Sequence, residues 1–268
     1  MSTRMRPLSE FPARTRRGVR FVLFDIDETL TTGGRLTAEA YGALEDLKNA
    51  GLAAAPVTGR PAGWCDHIAR MWPVDGVVGE NGAFYYRYDH AARRMIRHYA
   101  EDEATRAGNR HRLKELGARI LAEVPGAGIS GDQFCREADL AIDYREDVPP
   151  LGPEDIARIV ELFEEAGARA KVSSIHVNGW FGDYDKVTMT KTFLAREFAI
   201  DPEKDNPALV FAGDSPNDAP MFEFFENAVG VANLMEFRDM LDAEPAYVTT
   251  APSGAGFAEL ARALLEIR

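Results

Sequence analysis

The sequence has few cysteines, few histidines and no long apolar segment. Its two cysteines, Cys65 and Cys135, form no CxxC pair, and its five histidines show no metal-ligand spacing. We therefore expect neither a disulfide framework nor a thiolate zinc site, and the two thiols favour a reducing cytoplasm as the location. Spanning a bilayer takes about 20 consecutive apolar residues. The sequence contains no such run, so we expect no membrane partner.

Positive charge is also scarce. The 268 residues include 43 acidic and 31 basic side chains, which give a net charge of −12 and a pI near 5. Nucleic-acid-binding proteins usually present a basic face, so we expect no nucleic-acid partner. The apolar fraction of 46% and the charged fraction of 28% are typical of a soluble globular protein. The length suits one large domain or two modest ones.

Residues 1–20 depart from this charge balance, because they carry six arginines and a single acid, Glu10. This basic N-terminal arm lacks the apolar centre of a signal peptide. A transit peptide or a contact with an anionic surface is one interpretation. We favour a frayed basic tail instead, because chain termini are commonly disordered.

From residue 21 onward, short apolar runs alternate with amphipathic helical patterns, which predicts an α/β fold. The run FVLF at 21–24 is typical of a parallel strand that is covered on both faces. Residues 84–183 differ, since their aromatic, half-polar strands, including QFCRE, suggest hairpins. We therefore predict a Rossmann-like parallel core built from 21–83 and 184–268. The inserted residues 84–183 would form a smaller α/β cap domain with an antiparallel sheet.

Four segments carry chemically active side chains where a predicted core strand ends or a helix begins. In an open parallel sheet, ligands bind beyond the carboxyl ends of the strands. Because three of the segments follow core strands, we expect them to lie side by side at one edge of the sheet. The residues concerned are Asp25, Asp27, Thr58, Gly59, Arg60, Lys186, Asp214, Asn217 and Asp218.

Four aspartates in one cleft would repel one another unless a cation or protons neutralise them. Oxygen ligands without histidine or cysteine favour Mg²⁺ over zinc or copper. Lys186 and the Thr58 hydroxyl would attract a phosphoryl group, whose transfer depends on positioning and charge neutralisation. A carboxylate can act as the nucleophile, and a second carboxyl can protonate the leaving oxygen. The DxD spacing thus predicts Asp25 as the nucleophile and Asp27 as the general acid/base.

The segment DIDET matches the DxDxT motif of the haloacid dehalogenase (HAD) superfamily. Thr58, Lys186 and GDSPND resemble the second, third and fourth motifs of that superfamily, in the same order along the chain. The segments VTGR, ENGAF and GVAN resemble its Cof-type and sugar-phosphate phosphatase branch, in which a large α/β cap follows the third core strand. The cap matches in position and size rather than in motif.

The resemblance implies roles for individual residues. Mg²⁺ would be held by the side chain of Asp25, the carbonyl of Asp27 and the side chain of Asp214, with Asp218 in support. Arg60 has an alternative, since it would serve equally well in a surface ion pair. Phosphate or substrate binding is assigned to Thr58, Gly59, Arg60, Lys186 and Asn217.

Two points are less determined by the motifs. Lys186 is followed by valine rather than the frequent glycine, so Lys191 is an alternative for the lysine of the third motif. We select Lys186 because it begins the helix. Asn81, His176 and Asn178 are further candidate substrate contacts. Alternation along a strand would place the last two on one face, although a half-exposed cap strand would show the same pattern.

The function that these features favour is a Mg²⁺-dependent phosphatase acting on a small phosphorylated metabolite, with a sugar phosphate as the first choice. An aspartyl-phosphate intermediate is expected. One alternative is a phosphosugar mutase, which shares the intermediate but returns the phosphoryl group to another hydroxyl. Another is a non-catalytic module that senses Mg²⁺ or phosphorylation. The identity of the substrate and the oligomeric state stay open.

Overall fold

The apolar run FVLF forms a central strand of the core sheet, and all four of its residues are buried. The computed structural model describes residues 5–173 and 175–268; the first four residues of the predicted arm and Ser174 lie outside the described residues. Within these ranges the core sheet has six parallel strands. In spatial order they are β1 (Arg6–Pro7), β13 (Tyr247–Val248), β12 (Ala228–Gly230), β11 (Leu209–Gly213), β2 (Phe21–Phe24) and β3 (Ala53–Pro56).

Helices cover both faces of this sheet. The Thr37 side chain caps one helix by accepting the Ala40 N–H at 3.2 Å, and Gly51 follows the end of that helix at φ +80°. Phe24 packs into the buried cluster on one face, and Phe21 into the cluster on the other. The core helices are α1 (Ala13–Gly18), α2 (Ala38–Asn49), α3 (Ala62–Met71), α6 (Lys186–Phe198), α7 (Ala219–Phe224) and α8 (Ser253–Leu265).

A second, antiparallel sheet extends the core. Within the described chain it joins β4 (Val77–Gly79), β5 (Phe84–Asp89) and β6 (Arg94–Tyr99), and a parallel bridge between Val57 and Val78 connects it to the end of the core sheet. The buried rings of β5 pack into the two core clusters. The hairpin that the sequence led us to assign to the cap thus packs with the core. We propose that the cap begins after residue 99.

The cap has its own sheet and its own apolar core. Its antiparallel strands, in the part of the chain that is described, run in the order β7 (Gly128–Ile129), β8 (Asp139–Asp143), β10 (His176–Trp180) and β9 (Arg169–Val172). Two helices, α4 (Glu103–Glu123) and α5 (Pro153–Glu165), cover one face. The cap core is a cluster separate from the two core clusters. This architecture confirms the predicted fold class.

The predicted strand at QFCRE was wrong. Residues Gln133–Cys135 form a short 3-10 turn instead. The Gln133 side chain donates to the Asp139 carbonyl and accepts the Ala141 N–H, both at 2.9 Å. These side-chain bonds occupy positions along β8 that a strand partner would otherwise use.

The prediction of a frayed N-terminal tail was also wrong for the described part of the arm. β1 pairs with β13 at the edge of the core sheet. Leu8 and Phe11 are buried, and the Phe11 ring stacks on Tyr247 with ring centroids 4.6 Å apart. Arg16 donates to the Ala263 carbonyl at 2.6 Å, near the end of α8. Apolar residues spaced among the arginines therefore anchor the arm, while an arginine satisfies a helix-end carbonyl.

Among the described residues, no helix combines the length and the apolar character that crossing a membrane requires.

Candidate active site

Three neighbouring strands, β3, β2 and β11, end side by side at one edge of the core sheet. Asp25 follows β2, and its N–H donates to the Ala212 carbonyl of β11 at 2.9 Å. Thr58 lies just beyond β3, and Asp214 directly follows β11. The predicted convergence of these loops is therefore seen in the structure, and it results from strand order rather than from sequence proximity.

An aspartate cluster lies at this edge, formed by Asp25, Asp214 and Asp218. Carboxylate oxygens of the three lie within 4.8 Å of one another, and all three residues are buried. The Thr29 hydroxyl donates to Asp214 at 2.9 Å. A Cβ at Gly213 would lie 2.5 Å from an Asp218 oxygen, so a residue without a side chain is required beside the cluster.

Lys186 lies against the aspartate cluster. Its Nζ donates to Asp25 Oδ1 and to Asp218 Oδ1, each at 2.8 Å. Lys186 is the first residue of α6, which Asp185 caps by accepting the Thr188 N–H at 2.7 Å. Lys191 lies about one and a half turns further along α6 and forms an ion pair with the exposed Glu203 instead. Of the two lysines considered from the sequence, Lys186 is the one that reaches the cluster.

Charge in the aspartate cluster is not balanced by the described residues. Three carboxylates meet one ammonium group, which leaves two negative charges when all are ionised. Burial raises the pKa of Asp25 to about 7, although Lys186 acts to lower it. Burial, followed by the charges of Asp25 and Asp218, raises the pKa of Asp214 well above its usual range. The cluster is thus short of positive charge.

The aspartate cluster fits a divalent cation. Its donors are oxygen atoms only, they converge within one ion's reach, and the residual charge equals that of the cation in magnitude. The side chains of Asp25, Asp214 and Asp218 are the candidate ligands. The carbonyl of Asp27 stays a prediction as a further ligand.

Asp27 lies beside the aspartate cluster and is held by Arg60. The Arg60 guanidinium contacts both carboxylate oxygens, with Nε at 3.1 and 3.0 Å and Nη2 at 2.7 Å. The same guanidinium lies 3.4 Å from Glu146 and 3.7 Å from Asp132, both in the cap, and it covers the Trp64 ring at 4.5 Å. Although burial opposes it, Asp27 raises the pKa of Arg60. Arg60 thus faces carboxylates on both sides of the cleft.

The loop after β3 brings two more predicted residues into position. Thr58 is fully buried, and its hydroxyl oxygen accepts the Arg60 N–H at 3.1 Å. The Gly59 carbonyl accepts from Arg136 of the cap at 2.9 Å. From the opposite loop, the Asn217 side chain accepts the Ser215 hydroxyl at 2.8 Å. Gly59 and Asn217 therefore line the same cleft as Asp25 and Asp27, and the buried Thr58 directly precedes Gly59.

Asn81 and His176 each bring an unsatisfied polar atom to this region. Asn81 has a left-handed backbone at φ +55°, and its buried Nδ2 has no hydrogen-bond partner among the described residues. His176 Nε2 lies 2.9 Å from Glu146, but the two are not aligned for a hydrogen bond. Asn178 differs, because its amide donates to Asp139 at 2.9 Å. Buried polar atoms without partners are typical of sites that a ligand completes.

The cap closes over the aspartates. The cavity between them has a volume of about 20 Å³, close to the space that one water requires. A wider cleft of about 440 Å³ opens beside it and shares Asn81 and Asn217 with it. The small cavity is lined by Asp25, Asp27, Gly59, Arg60, Asn81, Arg136, Ser173, Ile175, His176, Asn178, Ser215 and Asn217.

Glu80 is a residue that sequence reasoning missed. It is fully buried at the end of β4, and burial raises its pKa to about 8. Its carboxylate accepts the N–H of Ala62 at 2.9 Å from the core. From the cap it accepts the N–H groups of residues 137–139, at distances between 2.6 and 3.2 Å. Glu80 therefore ties core to cap. Its position directly before Asn81 was the only signal in the sequence.

Arg136 was missed as well. Its side chain is almost completely buried, and it pairs with Asp139 at 2.9 Å and Asp132 at 3.0 Å inside the cap. It also donates to the Gly59 carbonyl of the core. No motif marks this residue, because its partners are brought together only when the cap docks on the core.

Comparison with known proteins finds a family similarity over part of the chain. A family model of haloacid dehalogenase-like hydrolases matches residues 22–107, which include the DxDxT motif and Thr58. The match covers about a third of the chain, and over that segment the sequence is similar to the haloacid dehalogenase-like hydrolases. This match agrees with the predicted superfamily. No curated protein matches the sequence.

Solved structures share the fold of this protein along nearly the whole chain. A Thermoplasma acidophilum protein has a TM-score of 0.69 at 17% identity, covering 93% of this chain and 99% of its own. A HAD/COF-like hydrolase from Plasmodium vivax has a TM-score of 0.69 at 16% identity, covering 96% and 99%. The sucrose-phosphatase of a Synechocystis species, solved with sucrose and phosphate, has a TM-score of 0.61 at 17% identity, covering 94% and 98%.

Proposed function

We propose that the chain is a Mg²⁺-dependent phosphomonoester hydrolase that works through an aspartyl-phosphate intermediate on Asp25. The observation that carries this proposal is the aspartate cluster with Lys186. It combines a carboxylate facing the cleft, an ammonium group 2.8 Å away and two uncompensated negative charges. A cation and a phosphoryl group together would complete this arrangement, because phosphoryl transfer requires positioning and neutralisation of spread negative charge.

A bound Mg²⁺ would polarise the phosphoryl oxygens and neutralise the carboxylates around them. Asp25, Asp214 and Asp218 would hold it, with the carbonyl of Asp27 as a further ligand. Lys186 would then share its charge between Asp25 and the phosphoryl group.

In the first step, an oxygen of the Asp25 carboxylate attacks phosphorus, and the bond from phosphorus to the leaving oxygen breaks. The leaving oxygen takes a proton from the Asp27 carboxyl group. In the second step, water attacks phosphorus and gives a proton to Asp27, while the bond between phosphorus and Asp25 breaks. Both carboxyl groups return to their starting state, and inorganic phosphate is released.

Donors around the small cavity suit the equatorial phosphoryl oxygens. Asn217 lines it from the loop after β11, and Lys186 binds Asp25, which also lines it. The buried Thr58 directly precedes Gly59, another lining residue. The unpartnered Nδ2 of Asn81 supplies a further donor, whose buried position would be costly without an acceptor. We assign these four side chains to phosphoryl binding.

We further propose a sugar phosphate as the substrate. His176 and Asn178 face the cavity from the cap, and each offers a polar atom to a hydroxyl-rich leaving group. The fold is shared with a sucrose-phosphatase, which makes sugar phosphates a reasonable first class to test. Because the closed cavity holds about one water, the cap must move aside before such a substrate enters.

The test is phosphate release across a panel of sugar phosphates and other phosphorylated metabolites, with and without Mg²⁺. We expect Mg²⁺-dependent release from at least one sugar phosphate by the wild-type chain and none by Asp25→Asn. Bisphosphate-activated isomerisation without release would assign the chain to the mutases instead. Metal binding without turnover on any phosphoester would favour a sensing module.

A further inference from the structure

Glu146 is a cap residue that contacts Arg60, the partner of the proposed acid/base Asp27. One carboxylate oxygen lies 3.4 Å from Arg60 Nη2 and 3.5 Å from Nη1. The other lies 2.9 Å from His176 Nε2. Arg60 in turn holds the carboxylate of Asp27. A continuous row of charged and polar side chains thus runs from Asp27 in the core to His176 in the cap.

The backbone around Glu146 is held in place, although the side chain is one-third exposed. Asp143, at the end of β8, is buried, and its carboxylate accepts the N–H groups of Arg145, Glu146 and Asp147 at 2.8 to 2.9 Å. This turn fixes where Glu146 leaves the cap sheet. Its contact with Arg60 therefore depends on the position of the whole cap, not on a mobile loop.

The Arg60 guanidinium is occupied by carboxylates on both sides of the cleft. Nε and Nη2 bind Asp27, while Nη1 and Nη2 face Glu146. The side chain is only 7% exposed. All three guanidinium nitrogens of Arg60 thus face carboxylates in the closed arrangement, and the orientation of the guanidinium depends on partners in core and cap together.

Resting on the function proposed above, we propose that Glu146 is a positioning residue. When the cap closes, Glu146 holds one side of the Arg60 guanidinium, and Arg60 then holds the Asp27 carboxyl group where it can transfer a proton to the leaving oxygen. When the cap opens, Glu146 moves away with it and the support is lost. Proton transfer is thereby linked to cap closure.

The test compares two substrates that differ in how much they need a proton on the leaving oxygen. When a sugar phosphate is hydrolysed, the sugar leaves as an alkoxide, which needs that proton. When p-nitrophenyl phosphate is hydrolysed, the leaving group is p-nitrophenolate, which is stable without a proton. The variants are Glu146→Gln, the conservative Glu146→Asp, and the matched control Asp147→Asn. Asp147 is the neighbouring exposed carboxylate, and within the described residues it forms no ion pair.

We expect Glu146→Gln to lower kcat for the sugar phosphate about 10- to 50-fold at nearly constant KM, because general acid/base catalysis contributes roughly 100-fold or more. With p-nitrophenyl phosphate the rate of the p-nitrophenolate burst, which reports the first step alone, should fall by less than about threefold. Glu146→Asp should restore part of the sugar-phosphate rate, and Asp147→Asn should match the wild type.

The proposal is overturned if Glu146→Gln behaves like Asp147→Asn, or if it lowers the rates with both substrates by the same factor. A rise in KM alone would make Glu146 a substrate contact and would also overturn it. These results leave the proposed function intact, since the wild type still releases phosphate. If the wild type hydrolyses neither substrate, the proposed function fails and this proposal fails with it.

Discussion

Glu80 and Asp25 are both buried carboxylates at the ends of core strands, yet their hydrogen bonds differ. Burial raises the pKa of Glu80 to about 8 and that of Asp25 to about 7, so neither exposure nor pKa separates them. Glu80 accepts N–H groups from four backbone positions. Asp25 accepts one side-chain bond, from Lys186, among the described residues.

The two carboxylates are distinguished by how many of their oxygen atoms already accept hydrogen bonds from the protein. Both oxygens of Glu80 are occupied by backbone donors from core and cap, so they are not available to a ligand. Asp25 borders the cavity with an oxygen that no described residue occupies. The first arrangement stabilises the docking of the cap, and the second leaves the proposed nucleophile accessible to a substrate.

The largest predicted effect is the loss of phosphate release in the variant Asp25→Asn. We expect phosphate release to fall at least about 1,000-fold, because the nucleophile is lost. The melting temperature should stay the same or rise, since a buried charge is removed from a cluster of like charges. Phosphate release and thermal unfolding measure both. Retention of a tenth of the wild-type rate with native folding would contradict the assignment.

Removing divalent cations should have the next largest effect. Chelation should reduce phosphate release by about 100-fold or more, and Mg²⁺ should restore it. Mg²⁺ should also raise the melting temperature of the wild type, because it binds the folded state only. The matched variant Asp214→Asn should show a much smaller rise. Equal activity before and after chelation would rule out a metal at the aspartate cluster.

The two lysines of α6 offer an internal control. Lys186→Ala should lower kcat about 100-fold, because it removes the cation beside Asp25. Lys191→Ala should stay within about twofold of the wild type, since it breaks only a partly exposed ion pair with Glu203. Steady-state kinetics of both variants measure the difference. If Lys191→Ala has the greater effect, the motif lysine has been misassigned.

Glu80→Gln should affect stability more than chemistry. An amide group would turn donor hydrogens toward the backbone N–H groups of residues 137–139, so unfolding should become easier by about 2 to 3 kcal/mol. At low temperature, where the variant is folded, kcat should remain within about threefold of the wild type. Denaturant unfolding with the exposed Glu45→Gln as control tests this. A catalytic loss without destabilisation would make Glu80 part of the chemistry.

The residues that meet at the edge of the core sheet could be predicted from the sequence, because each follows a strand that is recognisable from its own residues. Each of Asp25, Thr58 and Asp214 follows an apolar strand, and the carboxyl ends of parallel strands meet at one edge. Burial of the strands and the order of the motifs were sufficient. Lys186 contacts the aspartate cluster because it begins a helix beside it, and its catalytic role stays a prediction.

The junction between core and cap could not be predicted, because its contacts join segments that are distant in sequence. Glu80 bonds to residues 137–139, and Arg60 contacts Glu146, 86 residues further along. Both depend on how the cap docks, which no local pattern encodes. The arm was misjudged for a related reason, since Leu8 and Phe11 find their apolar partners only in the folded sheet.

Chemical trapping of the intermediate on Asp25 tests the central claim most directly. The chain would be mixed with an excess of a substrate that it hydrolyses in the presence of Mg²⁺, quenched rapidly and treated with borohydride, which reduces an acyl phosphate to an alcohol. Peptide mass spectrometry should then find residue 25 converted to homoserine, and Asp27 unchanged. Full turnover with no reduced residue, or with reduction at another carboxylate, would contradict the account.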